Sequence, residues 1–376
     1  MKTKLICSIF LTVIIFITGC GNNDTTYIKA SERIQLAQNY VPYKTEKYLR
    51  ICYMLKTWEF EKDGLELQRI VVFDNDTKVD LFTIEKADLP FIHKDPLPQS
   101  QEFQIDKIDK YYLSLQVPIP LAQAVPTNIS HRFIFNDTAQ NKEVTVEGGN
   151  LQPRKNEAPR LIASPVRGDH YILHNQSTMG YHYYLAFFIG GAIYTNEKFA
   201  FDLTQSNELW ENTFSGDPKK NESYFAYGDT LYAAASGTVV KVVNGRPENL
   251  GNAHDVPLNT NDEYYGNHLI LDIGGGCYSA YMHCIPNSFL VAAGDVVTEG
   301  QPIAKLGNSG NSTEPHLHFQ IIDKPDPAFS NGLPFVLKKY TKIGEVVFVP
   351  TPGPIQIQPV EITNSNMENW SVARFD

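Results

Sequence analysis

The 376-residue sequence is long enough for two domains with full cores. Its 32 Lys and Arg stand against 42 Asp and Glu, and the net charge of −10 argues against a nucleic-acid partner and leaves no polybasic patch for a membrane surface. With 21 Phe, 20 Tyr, 25 Gly and 23 Pro, the composition favours short strands and turns over helices, so an all-β fold class is expected.

Lys2 and Lys4 precede an apolar run at 5–17, which is followed by Thr18-Gly19-Cys20. Residues 1–20 read as a secretion signal, too short for a transmembrane span. The ending Ile17-Thr18-Gly19-Cys20 resembles a bacterial lipobox, whose cysteine becomes the lipidated first residue of the mature chain. Lipidation of Cys20 would give a membrane-anchored protein of the cell envelope, with 21–46 as a tether. The alternative is an ordinary signal that happens to contain a cysteine. Beyond Cys7 and Cys20, the chain keeps Cys52, Cys277 and Cys284. All three are expected to be free and buried, because the step from Cys277 to Cys284 along an extended strand is far too long for a disulfide.

Residues 47–150 read as one β domain. Runs rich in β-branched and aromatic residues lie at 48–55, 67–73, 79–84, 111–118, 131–135 and 142–146, with a turn at Asp74-Asn75-Asp76 and a Pro-rich loop at 90–98. Short strands at this spacing suggest an immunoglobulin-like sandwich, with no function attached. His93 and His131 lack ligand-like neighbours and read as structural. Residues 151–160, with Pro153 and Pro159, form the expected linker.

The second domain is expected at 161–349, followed by a Pro-rich tail at 350–376 extended over the surface. His182 ends a loop and opens a run expected to be β, which could pair with the stretch at 192–203 and bring His182 near Asp202. It reads equally as a histidine packed among Tyr181, Tyr183 and Tyr184, and His170 and His174 are weaker substitutes. Long polar loops at 207–227 and 244–262 would wall a cleft for an extended peptide. Residues 267–273 and 277–283 form an expected hairpin with His283 at its far end. The run GNSGNSTEPHLHF at 307–319 reads as a tight loop entering a strand. His316 and His318 are two apart and share one strand face, so both can bind one metal, or one can bind while the other handles protons. An isolated His-x-His is more often an ordinary strand, but Tyr281-Met282-His283 offers a second half to the same pocket.

The succession of hairpin, Tyr281-Met282-His283, the VAAGDVVTEGQPIAKLG run at 291–307 and NSGNSTEPHLHF resembles the LytM/lysostaphin-type zinc metallopeptidases. Those enzymes cut peptide cross-links of bacterial cell walls. The likeness covers roughly 194–322, and 232–240 resembles the strand that precedes the family's core. It implies a C-terminal antiparallel, barrel-sandwich-like domain holding Zn2+ through three protein ligands and one open position. By position His318 and Asp202 would be ligands, while His283 and His316 would orient the water and stabilise the tetrahedral intermediate. Lys198 stands where the family has its first histidine ligand, and an ammonium cannot bind zinc. Either another histidine, His182 first among the candidates, supplies the third nitrogen, or the domain is metal-free and binds peptidoglycan peptides or activates a cell-wall amidase partner. A biotin- or lipoyl-carrier reading ranks lower, since no lysine sits at the expected turn.

Overall fold

Ten-residue runs of branched and aromatic side chains make long strands wherever both faces find a partner surface. A computed structural model of the protein describes residues 26–29, 33–57, 60–89, 112–174, 181–184, 186–189, 192–347 and 353–376. The secretion signal with Cys20, His93 and the 90–98 loop lie outside the described residues. Strands dominate, and the all-β expectation is borne out.

The first half contains β1 (Thr26–Lys29), β2 (Ile34–Asn39), β3 (Tyr43–Lys44), β4 (Tyr48–Thr57), β5 (Leu65–Asp74), β6 (Asp80–Glu85), β7 (Tyr112–Pro120), β8 (Ile129–Asp137) and β9 (Lys142–Leu151). One sheet has the order β1-β9-β8-β5-β6, and the other joins β2, β3 and β7 to β4. Ile51, Tyr53 and Leu55 of β4 meet Ile70, Val72, Phe133 and Phe135 of the facing sheet in a single core. The segment expected as a tether already supplies three of these strands.

The second half begins with β10 (Arg160–Ile162), β11 (Gly168–His174), a one-turn helix α1 (Tyr181–Tyr184), the hairpin β12 (Phe187–Ile189) and β13 (Ala192–Tyr194), and β14 (Phe201–Gln205). It continues with β15 (Thr230–Tyr232), β16 (Gly237–Val243), α2 (Asn261–Tyr265), β17 (Asn267–Asp272), β18 (Tyr278–Cys284), β19 (Val296–Val297), β20 (Pro302–Lys305) and β21 (Leu317–Ile322). Last come β22 (Phe335–Val347), β23 (Gly353–Ser365) and β24 (Ser371–Phe375). A long sheet runs β10-β22-β24-β11-β14-β21-β18-β17-β16-β19, with β23 added to β22. All its pairs are antiparallel except β10 with β22.

Two expectations need correction. Within the segment expected as a tail, residues 353–376 do not lie loose over the surface. They form β23 and β24, and Val372, Ala373 and Phe375 are buried. His182 is the second residue of the helix turn α1 and does not open a strand. Cys52, Cys277 and Cys284 are free; the first and last are buried and Cys277 is half-buried.

Candidate metal centre

Residues directly opposed across an antiparallel pair point to the same sheet face. Asp202 on β14 faces His318 on β21, and His318 faces Met282 on β18. On the other side Asp202 faces His174 on β11. Four neighbouring strands therefore line up His174, Asp202, His318 and Met282 in one row. His316 precedes His318 by two residues and joins that face one step along.

His283 would point the wrong way on a regular strand, because Met282 already occupies the cleft face. The β17–β18 pairing resolves this. Between the pairs Leu269–Tyr281 and Asn267–Cys284, β18 carries one residue more than β17. The bulge sets His283 at φ +62° and brings it into the cleft beside Met282.

The resulting cleft has a volume of about 180 Å³ and opens to solvent, and His182, Asp202, His283, His316 and His318 all line it. His318 Nδ1 lies 3.1 Å from the Asp202 carboxylate, His316 Nε2 3.5 Å and His182 Nε2 3.6 Å. One ligand atom from each of His182, Asp202 and His318 can be chosen so that all lie within 4.8 Å of one another. Two imidazoles and a carboxylate suit a zinc ion with an open fourth position. His182 arrives by an unexpected route, since α1 carries it and no pairing of neighbouring strands is involved.

Hydrogen bonds set which ring nitrogen faces inward. His318 Nε2 donates to Gln320 Oε1 at 3.0 Å, which leaves Nδ1 for a ligand role. His283 Nδ1 donates to the Ser309 carbonyl at 2.7 Å, and His316 Nδ1 to the Glu314 carbonyl at 2.7 Å. Both rings thereby turn Nε2 toward the cleft.

The electrostatics centre on one carboxylate. Burial would raise Asp202, but the imidazoles of His182, His316 and His318 outweigh it and hold its carboxyl well below the ordinary range. Burial lowers His318, yet its hydrogen bond to Asp202 and that carboxylate's charge bring it up to about 9. His182 goes the other way, pushed down to about 4 by burial, with the charge of Asp202 only partly opposing. Burial, together with the neighbouring His316 and His318, lowers His283 well below its usual value.

Lys198 is not in the cleft. Its ammonium is buried against Ser114 Oγ at 2.9 Å and the Tyr183 carbonyl at 3.1 Å. His174 shares the row with Asp202 but packs edge-on against Trp370 at 4.3 Å and does not line the cleft. His170 and His254 also stay outside it, His254 bonding Asn311 Oδ1 at 3.0 Å. Sequence reasoning missed Glu197, whose carboxylate lines the cleft 3.8 Å from His182 Nε2. Burial pushes its carboxyl up to about 7. Tyr264 and Tyr265 on α2, and Asn311 and Thr313 inside the 307–319 run, also line the cleft and were missed.

The model of peptidase family M23 matches residues 223–329. The peptidoglycan DD-endopeptidase ShyA of Vibrio cholerae is 32% identical over 128 residues, which is 34% of this chain and 28% of ShyA. ShyB of the same organism, also a peptidoglycan DD-endopeptidase, is 36% identical over 73 residues, 19% of this chain and 17% of ShyB. Residues 223–329 therefore resemble a peptidase domain of family M23. The match spans less than a third of either relative's length. The catalytic domain of lysostaphin from Staphylococcus simulans aligns at 20% identity over 44% of this chain and 84% of that domain, with a TM-score of 0.24. Two residues of the proposed metal set, His182 and Asp202, lie before the matched M23 segment, and only His318 lies inside it.

Proposed function

We propose that this protein is a zinc-dependent endopeptidase that hydrolyses peptide bonds in peptidoglycan cross-links. The observation that carries the reading is the convergence of His182, Asp202 and His318 at the floor of a cleft that also holds His283 and His316. Zinc held by the first three would supply Lewis-acid polarisation of the scissile carbonyl and acidify water.

The protein's own groups do the rest. Asp202 gathers the surrounding imidazoles around one negative charge and fixes their orientation. His283 and His316 present Nε2 to the substrate, with Nδ1 tied to backbone carbonyls. His283, kept neutral by burial, can take a proton from the attacking water. Once protonated, it can donate to the tetrahedral oxyanion and then to the leaving amine. Tyr264 and Tyr265 wall the side of the cleft along which a peptide would lie.

The metal-free binding reading rested on Lys198 in the histidine's place. With Lys198 turned away and His182 beside Asp202, no feature of the site favours it. We place the enzyme in the cell envelope, tethered through a lipid on Cys20, a reading supported by the signal and lipobox pattern at 1–20. The experiment combines metal analysis of purified protein with cleavage of cross-linked muropeptides. His318→Ala should lose both zinc and activity. His283→Ala should keep near one equivalent of zinc and lose turnover by ~10²-fold or more. Stoichiometric zinc in His318→Ala would overturn the ligand assignment.

A further inference from the structure

His182 lies on a helix of four residues, too short to hold its own shape in water. Something else must fix it, and the contacts of its neighbour show what does. Tyr183 is buried, and its hydroxyl donates to the carbonyl of Leu115 on β7 at 2.6 Å. Its own carbonyl accepts from Lys198 Nζ, which also donates to Ser114 on the same strand. The Lys198 ammonium sits 4.0 Å from the centre of the Tyr183 ring. Phe199 completes the joint, packing edge-on against Tyr40 at 5.0 Å and Tyr43 at 5.7 Å. Tyr183 and Phe199 belong to the hydrophobic core of the N-terminal domain, although both follow residue 160 in the chain.

We propose that the N-terminal domain is a structural part of the metal centre, with Lys198 and Tyr183 as positioning residues that hold His182 in reach of Asp202 and His318. The inference rests on His182 being the third ligand. Lys198 links β7 to the turn that carries His182. The ammonium reaches the N-terminal strand on one side and the carbonyl next to His182 on the other. Without those bonds α1 loses its seat, and the ligand set falls to His318 and Asp202.

The test measures zinc affinity of the full-length protein by competition with a chromophoric chelator, alongside the visible spectrum of the cobalt-substituted protein and the melting temperature with and without zinc. Tyr183→Phe removes the bond to Leu115 and keeps the ring. Lys198→Met removes both amine bonds at similar volume, and Ser114→Ala removes one acceptor. Tyr183→Phe and Lys198→Met should each weaken zinc binding about 10- to 100-fold. They should also shift the cobalt spectrum toward that of His182→Ala and shrink the stabilisation that zinc confers. A purely structural role would lower the apo melting temperature and leave affinity and spectrum unchanged. Wild-type zinc affinity in folded Tyr183→Phe or Lys198→Met, with His182→Ala deficient, overturns this inference alone. Wild-type affinity in His182→Ala overturns the ligand reading as well. If Lys198→Met does not fold, Tyr183→Phe and Ser114→Ala decide the matter.

Discussion

At the scale of single residues, the orientation of His283 depends on two glycines that never touch it. The Ser309 carbonyl that holds His283 Nδ1 sits where two backbone segments cross. A Cβ on Gly266 would lie 2.5 Å from Ser309 carbonyl atoms, and one on Gly310 would lie 2.5 Å from the Gly266 nitrogen. Gly310 also has φ +79°, a conformation that L side chains rarely adopt. Ser309 Oγ fixes the same crossing by accepting from the Asn267 N–H and donating to the Cys284 carbonyl. Gly310→Ala must therefore push the 309–310 backbone off its partner. We expect a stability loss of about 2 kcal/mol or more, zinc retained, and turnover reduced because His283 loses its tautomer-setting acceptor. Denaturant unfolding and a turnover assay check this, and wild-type turnover in Gly310→Ala would sink it.

At the scale of elements, the sheet register does most of the assembly, and this part was legible in the sequence. The two-residue spacing of His316 and His318 places them on one strand face, and the hairpin ending in His283 supplies the neighbouring strand. The approach of His182 was only half legible. Strand pairing cannot bring it to Asp202, and its short helix takes its conformation from contacts more than 60 residues away in sequence, as the 68-residue span from Tyr183 to Leu115 shows. The end of the chain was misread for a different reason. The prolines suggest an unpaired tail, but Pro354 and Pro359 lie on β23, which among the described residues pairs only with β22. An edge strand has an open side where a missing N–H costs nothing. Beyond it β24 runs between β22 and β11, and β11 borders the Asp202 strand. A surface tail would tolerate Ala373→Asp. Here Ala373 is fully buried, so an unpaired carboxylate in its place should cost about 3 kcal/mol or more and leave little soluble protein. A melting temperature within 2 °C of wild type, roughly the shift expected for about 1 kcal/mol in a domain of this size, would contradict the placement of β24.

At the scale of the whole molecule, the two halves are joined by more than the His182 seat. Arg50 on β4 pairs with Glu368 at 2.6 Å in a largely buried contact, and Gln38 on β2 bonds Asn331 at 3.2 Å. Stability of the N-terminal domain should therefore be felt at the metal centre. Its most acid-sensitive part is His131 on β8, fully buried between the Tyr53 hydroxyl at 2.7 Å and the Gly148 carbonyl at 3.2 Å. No charged group opposes the burial, which pushes its imidazole down to about 4 from 6.5. Between those values the unfolded chain binds a proton that the folded chain refuses. Stability is therefore at its full value above pH 6.5 and is lost progressively as pH falls toward 4, by about 3 kcal/mol in all. Melting temperatures from pH 7 to pH 4 should fall for the wild type. His131→Gln, which cannot take up that proton, should start lower and fall less. If the N-terminal domain seats His182, zinc affinity at pH 5 should decline less in His131→Gln than in the wild type once direct protonation of the ligands, common to both, is subtracted. Parallel melting curves for the two proteins across this range would show that His131 does not set the acid limit.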